Sequence, residues 1–431
     1  MASETKSFCL MFYAVFGVVL VGSTLSSLVT GFSLATSYLI LPTETACSHW
    51  SSSITVVGGA VMFAISGLSG VIIVPLLPKR STRTWLLTSA VASGLGFGVC
   101  GVAVATCHWS NVATQIFYVL GYVFIGYGCY LPVAIVSVAL IPWMPRYKAF
   151  AAGYSSLLCG LGSLAISQLL LYCQTLIKND VLDVVTVFFG CGILVVFFYM
   201  CGMFLIVPPS FDTNSTLCDE SVSNKNSSGM TRFRIMRTRQ FILIFIGRVV
   251  GPFCGYGLTA RQQEFLDTIW RHDHTPTAIL GASVFGSYIG GRIFWLIMCE
   301  KMSCRWCWCT SLAIQAVAIA FLPLFTYSSD SIWMKYAALI DFCVINITFP
   351  SSKMTSFGLC LEIFGSVNYV TAYGMSVMGL GVAGFLAPLA FEWSLMIWST
   401  YTPILYASAA ANIIALIASL CLSPIHFDPI E

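Results

Sequence analysis

Apolar residues fill the chain in long runs, and short polar or proline-rich breaks separate one run from the next. Runs of about 18 residues or more read as membrane-spanning helices, because ~30 Å of hydrocarbon takes about 20 residues at ~1.5 Å each. The pattern predicts twelve spans, over 10–40, 53–77, 85–106, 113–141, 150–173, 184–207, 240–260, 276–299, 306–327, 333–352, 368–391 and 400–422. Lipid offers no water to backbone groups, so uninterrupted apolar runs satisfy themselves as helices rather than as barrel strands. The first run follows the N-terminus with no small-residue cleavage pattern and is too long for a signal-peptide core, so it reads as a span. One long polar stretch breaks the series between the sixth and seventh spans. It covers 208–239 and is rich in Ser, Asn and charge, which is a linker composition. The expected architecture is an all-α membrane protein with twelve transmembrane helices. A six-helix bundle over 1–207 and a second over 240–431 would be joined by a cytoplasmic linker over 208–239.

Composition agrees with the pattern. Of the 431 residues 58% are hydrophobic and 9% charged, against roughly 25% charged in soluble domains. The net charge of +3 reflects asymmetry between loops rather than a nucleic-acid footprint. With the N-terminus inside, the inner segments hold Lys6, Lys79, Arg80, Arg83, Arg146, Lys148, Lys225, Arg232, Arg234, Arg237, Arg239, Lys301, Arg305 and Lys353. The outer segments hold Lys178, Arg261, Arg271 and Lys335, so the balance is fourteen to four. The positive-inside rule then puts both termini in the cytoplasm. A multi-pass protein of the plasma membrane rather than an organelle is expected, with the sequons at Asn214 and Asn226 unglycosylated.

The 18 cysteines mostly sit singly in apolar runs, where a thiol behaves as a small hydrophobe. Cys304 and Cys307 have a C-x-x-C spacing without a second pair to close a zinc site. His272 and His274 flank Asp273 in an outer loop and make a weak metal candidate. No Walker loop, metal cage or nucleophile constellation occurs, so neither an enzyme nor a cofactor or metal is expected. The expected partners are the lipid bilayer and a small solute.

Three charged residues lie well inside the predicted spans: Arg248, Arg292 and Asp341. A charge at the centre of a bilayer costs about 3 kcal/mol or more, and whatever offsets that cost is a functional clue. Arg292 lies nine residues before Lys301, roughly 13 Å from the inner surface by helix rise. Tyr288 and Trp295 share its face at i−4 and i+3. A guanidinium flanked by aromatic groups suits a carboxylate, which it binds bidentately. The competing readings are a structural partner for Asp341 or for backbone carbonyls, and a snorkelled side chain. Arg248 shares a face with Gly251, Pro252, Gly255 and Tyr256, suggesting a kinked helix lining a cavity; an inner-gate arginine is the alternative. Asp341 heads a polar stripe with Thr348 and Ser352. It either exchanges a proton during transport, or forms a static ion pair with an arginine or a hydrogen bond across helices.

Six spans, a linker and six spans suggest two bundles rocking about a midplane cavity, the alternating-access plan of major facilitator transporters. The fourth and fifth spans read "FIGYGCYLPVAIVSVALIPWMPRYKAFAAGYSSLLCGLGS". This resembles the oxalate:formate antiporter family and the related monocarboxylate transporters. Gly126, Gly128, Tyr130 and Pro132 match a glycine-rich helix with Tyr-x-Pro, and Trp143 and Pro145 match a Trp-Phe-Pro loop in which Met144 replaces Phe. Arg146 and Lys148 supply the basic residues that follow. Phe364, Gly365, Gly374, Gly381, Gly384 and Pro388 are similar to the family's eleventh-span pattern, and Gly291, Arg292 and Trp295 to its eighth-span Gly-Arg. The loop between spans two and three keeps Lys79, Arg80 and Arg83 but has Pro78 where the superfamily carries an acid.

The resemblance implies a secondary carrier of a small organic anion that holds its substrate on Arg292. Tyr288, Trp295 and Arg248 would assist, and Asp341 would be the coupling candidate if protons are co-transported. Spans one, four, seven and ten would line the cavity. Span one would offer Ser23, Ser27, Thr30 and Ser37, and span four Gln115, Tyr118 and Tyr122, unless these groups only tighten packing. Dicarboxylate-handling relatives carry a lysine where this chain has Leu380. One cation fewer argues for a monocarboxylate, unless Arg248 supplies the second charge. The alternatives are a carrier of another solute (an amino acid, vitamin acid or drug) and a non-transporting receptor on a carrier fold.

Overall fold

The computed structural model describes residues 2–31, 39–50, 52–73, 76, 81–109, 111–140, 143–144, 148–176, 181–206, 231–260, 262, 265–266, 277–327 and 331–423. In the first half, α1 (Ala2–Thr30) is followed by the short α2 (Ile40–Ala46), then α3 (Ser52–Ile73) and α4 (Thr82–Ala105). Next come α5 (Asn111–Leu140), α6 (Lys148–Leu176) and α7 (Val181–Leu205). In the second half a short α8 (Arg232–Met236) precedes α9 (Arg239–Val250), α10 (Phe253–Ala260), α11 (Thr277–Lys301) and α12 (Cys304–Tyr327). The chain then forms α13 (Ile332–Thr348), α14 (Ser351–Trp398) and α15 (Thr402–Leu420).

Among the described residues eleven helical segments are long and apolar enough to cross a membrane, and Ala14–Thr30 is a shorter apolar helix. Together these account for the twelve expected spans. Large apolar side chains point outward along them, among them Ile193, Phe204 and Phe197, which are 71%, 65% and 60% exposed. Such a surface suits lipid and no aqueous phase.

Local chemistry sets the helix ends. Ser81 and Thr238 cap α4 and α9, their hydroxyls accepting from Thr84 N and Phe241 N at 3.2 Å each. The seventh span breaks between α9 and α10 at Gly251–Pro252, as its sequence predicts. The tenth span departs from expectation. The apolar run over 333–352 predicts a span that ends before a loop, yet the chain turns at Phe349–Pro350 and continues as helix. Proline at this point opens a new helix: the amides of Lys353 and Met354 bond to Pro350 O at 3.0 and 3.1 Å. The true corner is Gly365, whose φ of +70° only glycine adopts without strain. It divides the long α14 into the end of the tenth span and the whole of the eleventh.

The expected linker also ends earlier, because α8 already forms within 232–236 and buries Ile235. Residues 207–230, the two sequons and the pair His272 and His274 lie outside the described residues, as do Pro78, Lys79 and Arg80. Helices of each half pack chiefly among themselves; across the halves α3 meets α14, and α6 meets α11 and α14.

Glycines let the halves approach closely. A Cβ on Gly67 of α3 would lie 2.7 Å from Gly381 Cα of α14, and one on Gly70 would lie 2.8 Å from Val377. Glu300, near the end of α11, accepts a 3.0 Å bond from the Phe150 amide in the first turn of α6. That contact joins the halves through a carboxylate at a helix N-terminus, where anions are favoured.

Candidate functional site

A cavity of about 60 Å³ lies between the halves, walled by α1, α3, α5 and α6 on one side and by α10, α11 and α14 on the other. Its measure corresponds to about four to six waters, at ~10–15 Å³ each. Thr30, Ser66, Tyr130, Tyr256, Arg292, Lys353 and Leu380 are among its lining residues. None of the described lining residues is acidic.

Arg292 is 1% exposed. Its Nη2 donates to the Tyr288 hydroxyl one helical turn earlier, and its Cζ lies 4.3 Å from the Tyr288 ring centroid. A Cβ on Gly160 of α6 would lie 3.1 Å from Arg292 Nη1, so this glycine makes room for the guanidinium from the opposite half. Nε and Nη1 are buried without a hydrogen-bond partner. Unmet donors on a buried guanidinium cost about 1–3 kcal/mol or more. A carboxylate held in the cavity would relieve that cost.

Lys353 is the residue that sequence reasoning misses. The proline three residues earlier suggests a helix end, which would leave the lysine in a cytoplasmic loop. The structure instead puts it in the first turn of α14, within the tenth span and on the cavity wall. Its Nζ lies 5.1 Å from the Tyr256 ring centroid and 5.8 Å from that of Phe349. The rings form an arc: Tyr288 stacks on Phe349 at 5.6 Å, and Phe349 meets Tyr256 edge-on at 5.1 Å. Aromatic faces are the apolar surface that best tolerates cations, and here they hold two cations beside one cavity. The i, i+3 spacing of Pro350 and Lys353 is the available signal, once proline is read as a helix start.

The other expected residues divide into three groups. Trp295 lies beside Arg292 on α11, but its indole N–H donates to the Ile347 carbonyl at 2.9 Å, in the last turn of α13. It thereby ties α11 to the break that presents Lys353. Arg248 is fully buried; Nη1 donates to Ser376 Oγ at 2.6 Å, and Cζ lies 5.3 Å from the Tyr373 ring. Its Nε and Nη2 have no hydrogen-bond partner. Arg248 is not among the lining residues; Tyr130, which is, has Tyr373 and Arg248 as electrostatic neighbours.

Tyr118 and Tyr122 lie away from this cavity, in an apolar cluster of the first half. Their hydroxyls are 3.3 Å apart, and Tyr118 packs edge-on against Trp50 at 5.2 Å. The hydroxyl face of the first span is similarly engaged in packing. Ser27 bonds Ser155 and Thr24 bonds Tyr154, each at 2.8 Å, although Thr30 also reaches the cavity. Ser37 lies outside the described residues.

Asp341 is half-buried on α13, and its Oδ2 has no hydrogen-bond partner. It forms no described ion pair with Arg248 or Arg292, so the expected alternative of an Arg–Asp pair is not seen. Among the described residues no group of three or more His, Cys, Asp or Glu is arranged to hold a metal.

No family model matches the chain, and no curated protein matches it in sequence. Solved structures do match in shape. A single-residue variant of the E. coli fucose:proton symporter superposes with a TM-score of 0.60 at 14% identity, covering 94% of this chain and 98% of that one. A proton:xylose symporter of the major facilitator superfamily, bound to 6-bromo-6-deoxy-D-glucose, superposes with a TM-score of 0.70, again at 14% identity. It covers 94% of each chain. At this identity the likeness shows the fold alone, the all-α helical arrangement of the major facilitator structures.

Proposed function

We propose that this chain is a secondary active transporter of a small organic anion, working by alternating access about the cavity at Arg292. One observation carries the reading. A buried arginine with two unmet donors lines a cavity between the halves, and no acid is among the described lining residues. A sugar of the kind named for the two structural neighbours is the second reading that their shape suggests. A neutral sugar would leave the cationic wall uncompensated, which favours the anion. The sequence-based choice of a monocarboxylate rests on Leu380 standing where a second cation would be, and counts no other cation at the cavity unless Arg248 supplies it. Lys353 removes the basis for that count.

Proton coupling is part of the proposal, with Asp341 as the exchanging group. It is supported by the unpartnered Oδ2 of a carboxylate inside the tenth span. The two neighbouring structures are described as proton symporters. Moving Lys353 from the loop into the span changes the charge balance across the membrane to thirteen against four. Cytoplasmic termini therefore remain the reading, and the plasma membrane is the compartment proposed.

The test is uptake of labelled formate, lactate, pyruvate and oxalate into proteoliposomes, with and without an inward-acid pH gradient. Saturable uptake of at least one anion, lost in Arg292→Ala, is expected. A silent panel with folded protein would instead favour a receptor on a carrier fold.

A further inference from the structure

Resting on the anion-carrier reading, we propose that Lys353 is a second anion-binding residue of the cavity and sets a preference for doubly over singly charged carboxylates. The grounds are chemical. Arg292 and Lys353 line one small cavity, so two cationic side chains share the same space. Two like charges in a low-dielectric space destabilise each other. No carboxylate among the described lining residues separates them.

Their support comes from Tyr288, Phe349 and Tyr256, whose faces attract both cations but neutralise neither. The free hydrogen-bonding capacity is also divided in two. Arg292 retains Nε and Nη1 without a partner. The ammonium of Lys353 has three donors, and no hydrogen bond to a described residue is seen for it. A monocarboxylate meeting the guanidinium leaves the ammonium uncompensated. A compact dicarboxylate meets both, with one carboxylate on each cation and a short spacer between them.

The position of the lysine matters. In the resembling carriers the second cation would come from the residue aligned with Leu380 in the eleventh span. Here Leu380 lines the same cavity as an apolar wall, and the charge enters from the tenth span. The break at Phe349–Pro350, tied down by the Trp295–Ile347 bond, gives Lys353 its place in the first turn of α14.

The experiment uses the full chain in proteoliposomes at neutral pH. Malonate, its monomethyl ester, formate and lactate are compared as substrates and as competitors. Wild-type protein is expected to take malonate at least tenfold more readily than the half-ester, which differs by one charge. Lys353→Gln should erase that ratio in uptake and in competition, and Lys353→Arg should retain it. If the half-ester competes as well as malonate in the wild type, the inference is overturned without recourse to any variant. An unchanged ratio in Lys353→Gln would overturn it as well. If the wild type carries none of the anions, the carrier reading fails first, and this inference falls with it.

Discussion

Gly160 and Arg292 meet across the junction of the two halves: a Cβ built on the glycine would lie 3.1 Å from both Cδ and Nη1 of the arginine. The glycine of α6 therefore holds open the space in which the guanidinium of α11 rests. Gly160→Ala asks the arginine to move by a few tenths of an ångström, and transport should survive with weakened affinity. Gly160→Val adds two methyl groups more and should displace the guanidinium by about 1 Å, with a loss of about a hundredfold in uptake efficiency. Full activity in Gly160→Val would contradict the geometry.

Arg292 has two buried donor atoms that no described protein group satisfies. Replacing it with Met removes two unmet donors and a charge while keeping much of the stem volume. Replacing buried charge by apolar side chains is often neutral or stabilising by about 1–4 kcal/mol. Arg292→Met should unfold at a higher temperature than the wild type in detergent, yet lose uptake. Saturating substrate should stabilise the wild type and leave the variant unmoved. A thermal shift assay with and without the anion panel measures both effects. A variant that still gained stability from substrate would place the anion elsewhere.

Much of this arrangement is legible in the chain itself. Apolar run length is enough to count the spans, because lipid thickness leaves few alternatives. Tyr288 falls beside Arg292 as expected, since i and i−4 share a helix face wherever that helix goes. Lys353 is not legible in the same way: proline is a helix terminator in most local contexts, and only the packed chain shows it opening a helix. Trp295 lies on the expected face, but the partner of its N–H belongs to another helix, where periodicity says nothing. Tyr118 and Tyr122 show the same limit. Their spacing predicts a shared polar face but not whether that face meets the cavity or, as here, Trp50 and its neighbours.

The glycine contacts between α3 and α14 yield a prediction about motion. Gly67 and Gly381 approach so closely that a Cβ on either would lie 2.7 Å from the other's Cα. Backbone cannot yield as a flexible side chain can. Gly67→Val should hold the halves apart on this side and, because Gly67 also lines the cavity, weaken substrate binding while removing net uptake. Binding measured by calorimetry beside flux in liposomes separates the two effects. Equal loss of both would mean the substitution disturbs the fold rather than the motion.

The Trp295 indole bond to Ile347 O, at 2.9 Å, secures the last turn before the tenth-span break. Trp295→Phe keeps most of the ring area and removes the donor, for about 1 kcal/mol of stability. The larger effect should fall on the residue that the break presents. Malonate affinity should weaken more than formate affinity, because Lys353 rather than Arg292 loses its support. Comparable losses for both anions would show that Trp295 acts through Arg292 instead.

Asp341 and Lys353 are twelve positions apart on the two helical pieces of the tenth span, roughly 18 Å by helix rise, with the Phe349–Pro350 turn between them. A carboxylate so far from the cavity acts on the substrate only through a change in the helix that joins them. Protonation of Asp341 would remove its charge from the membrane and lower the cost of moving α13. Asp341→Asn fixes the uncharged form. Such a variant should keep anion exchange, in which substrate occupies the cavity in both directions, but lose accumulation driven by a pH gradient. Counterflow and gradient-driven uptake, measured on the same vesicles, make the comparison. Retention of gradient-driven accumulation in Asp341→Asn would remove Asp341 from the coupling pathway and leave it a structural residue of the tenth span.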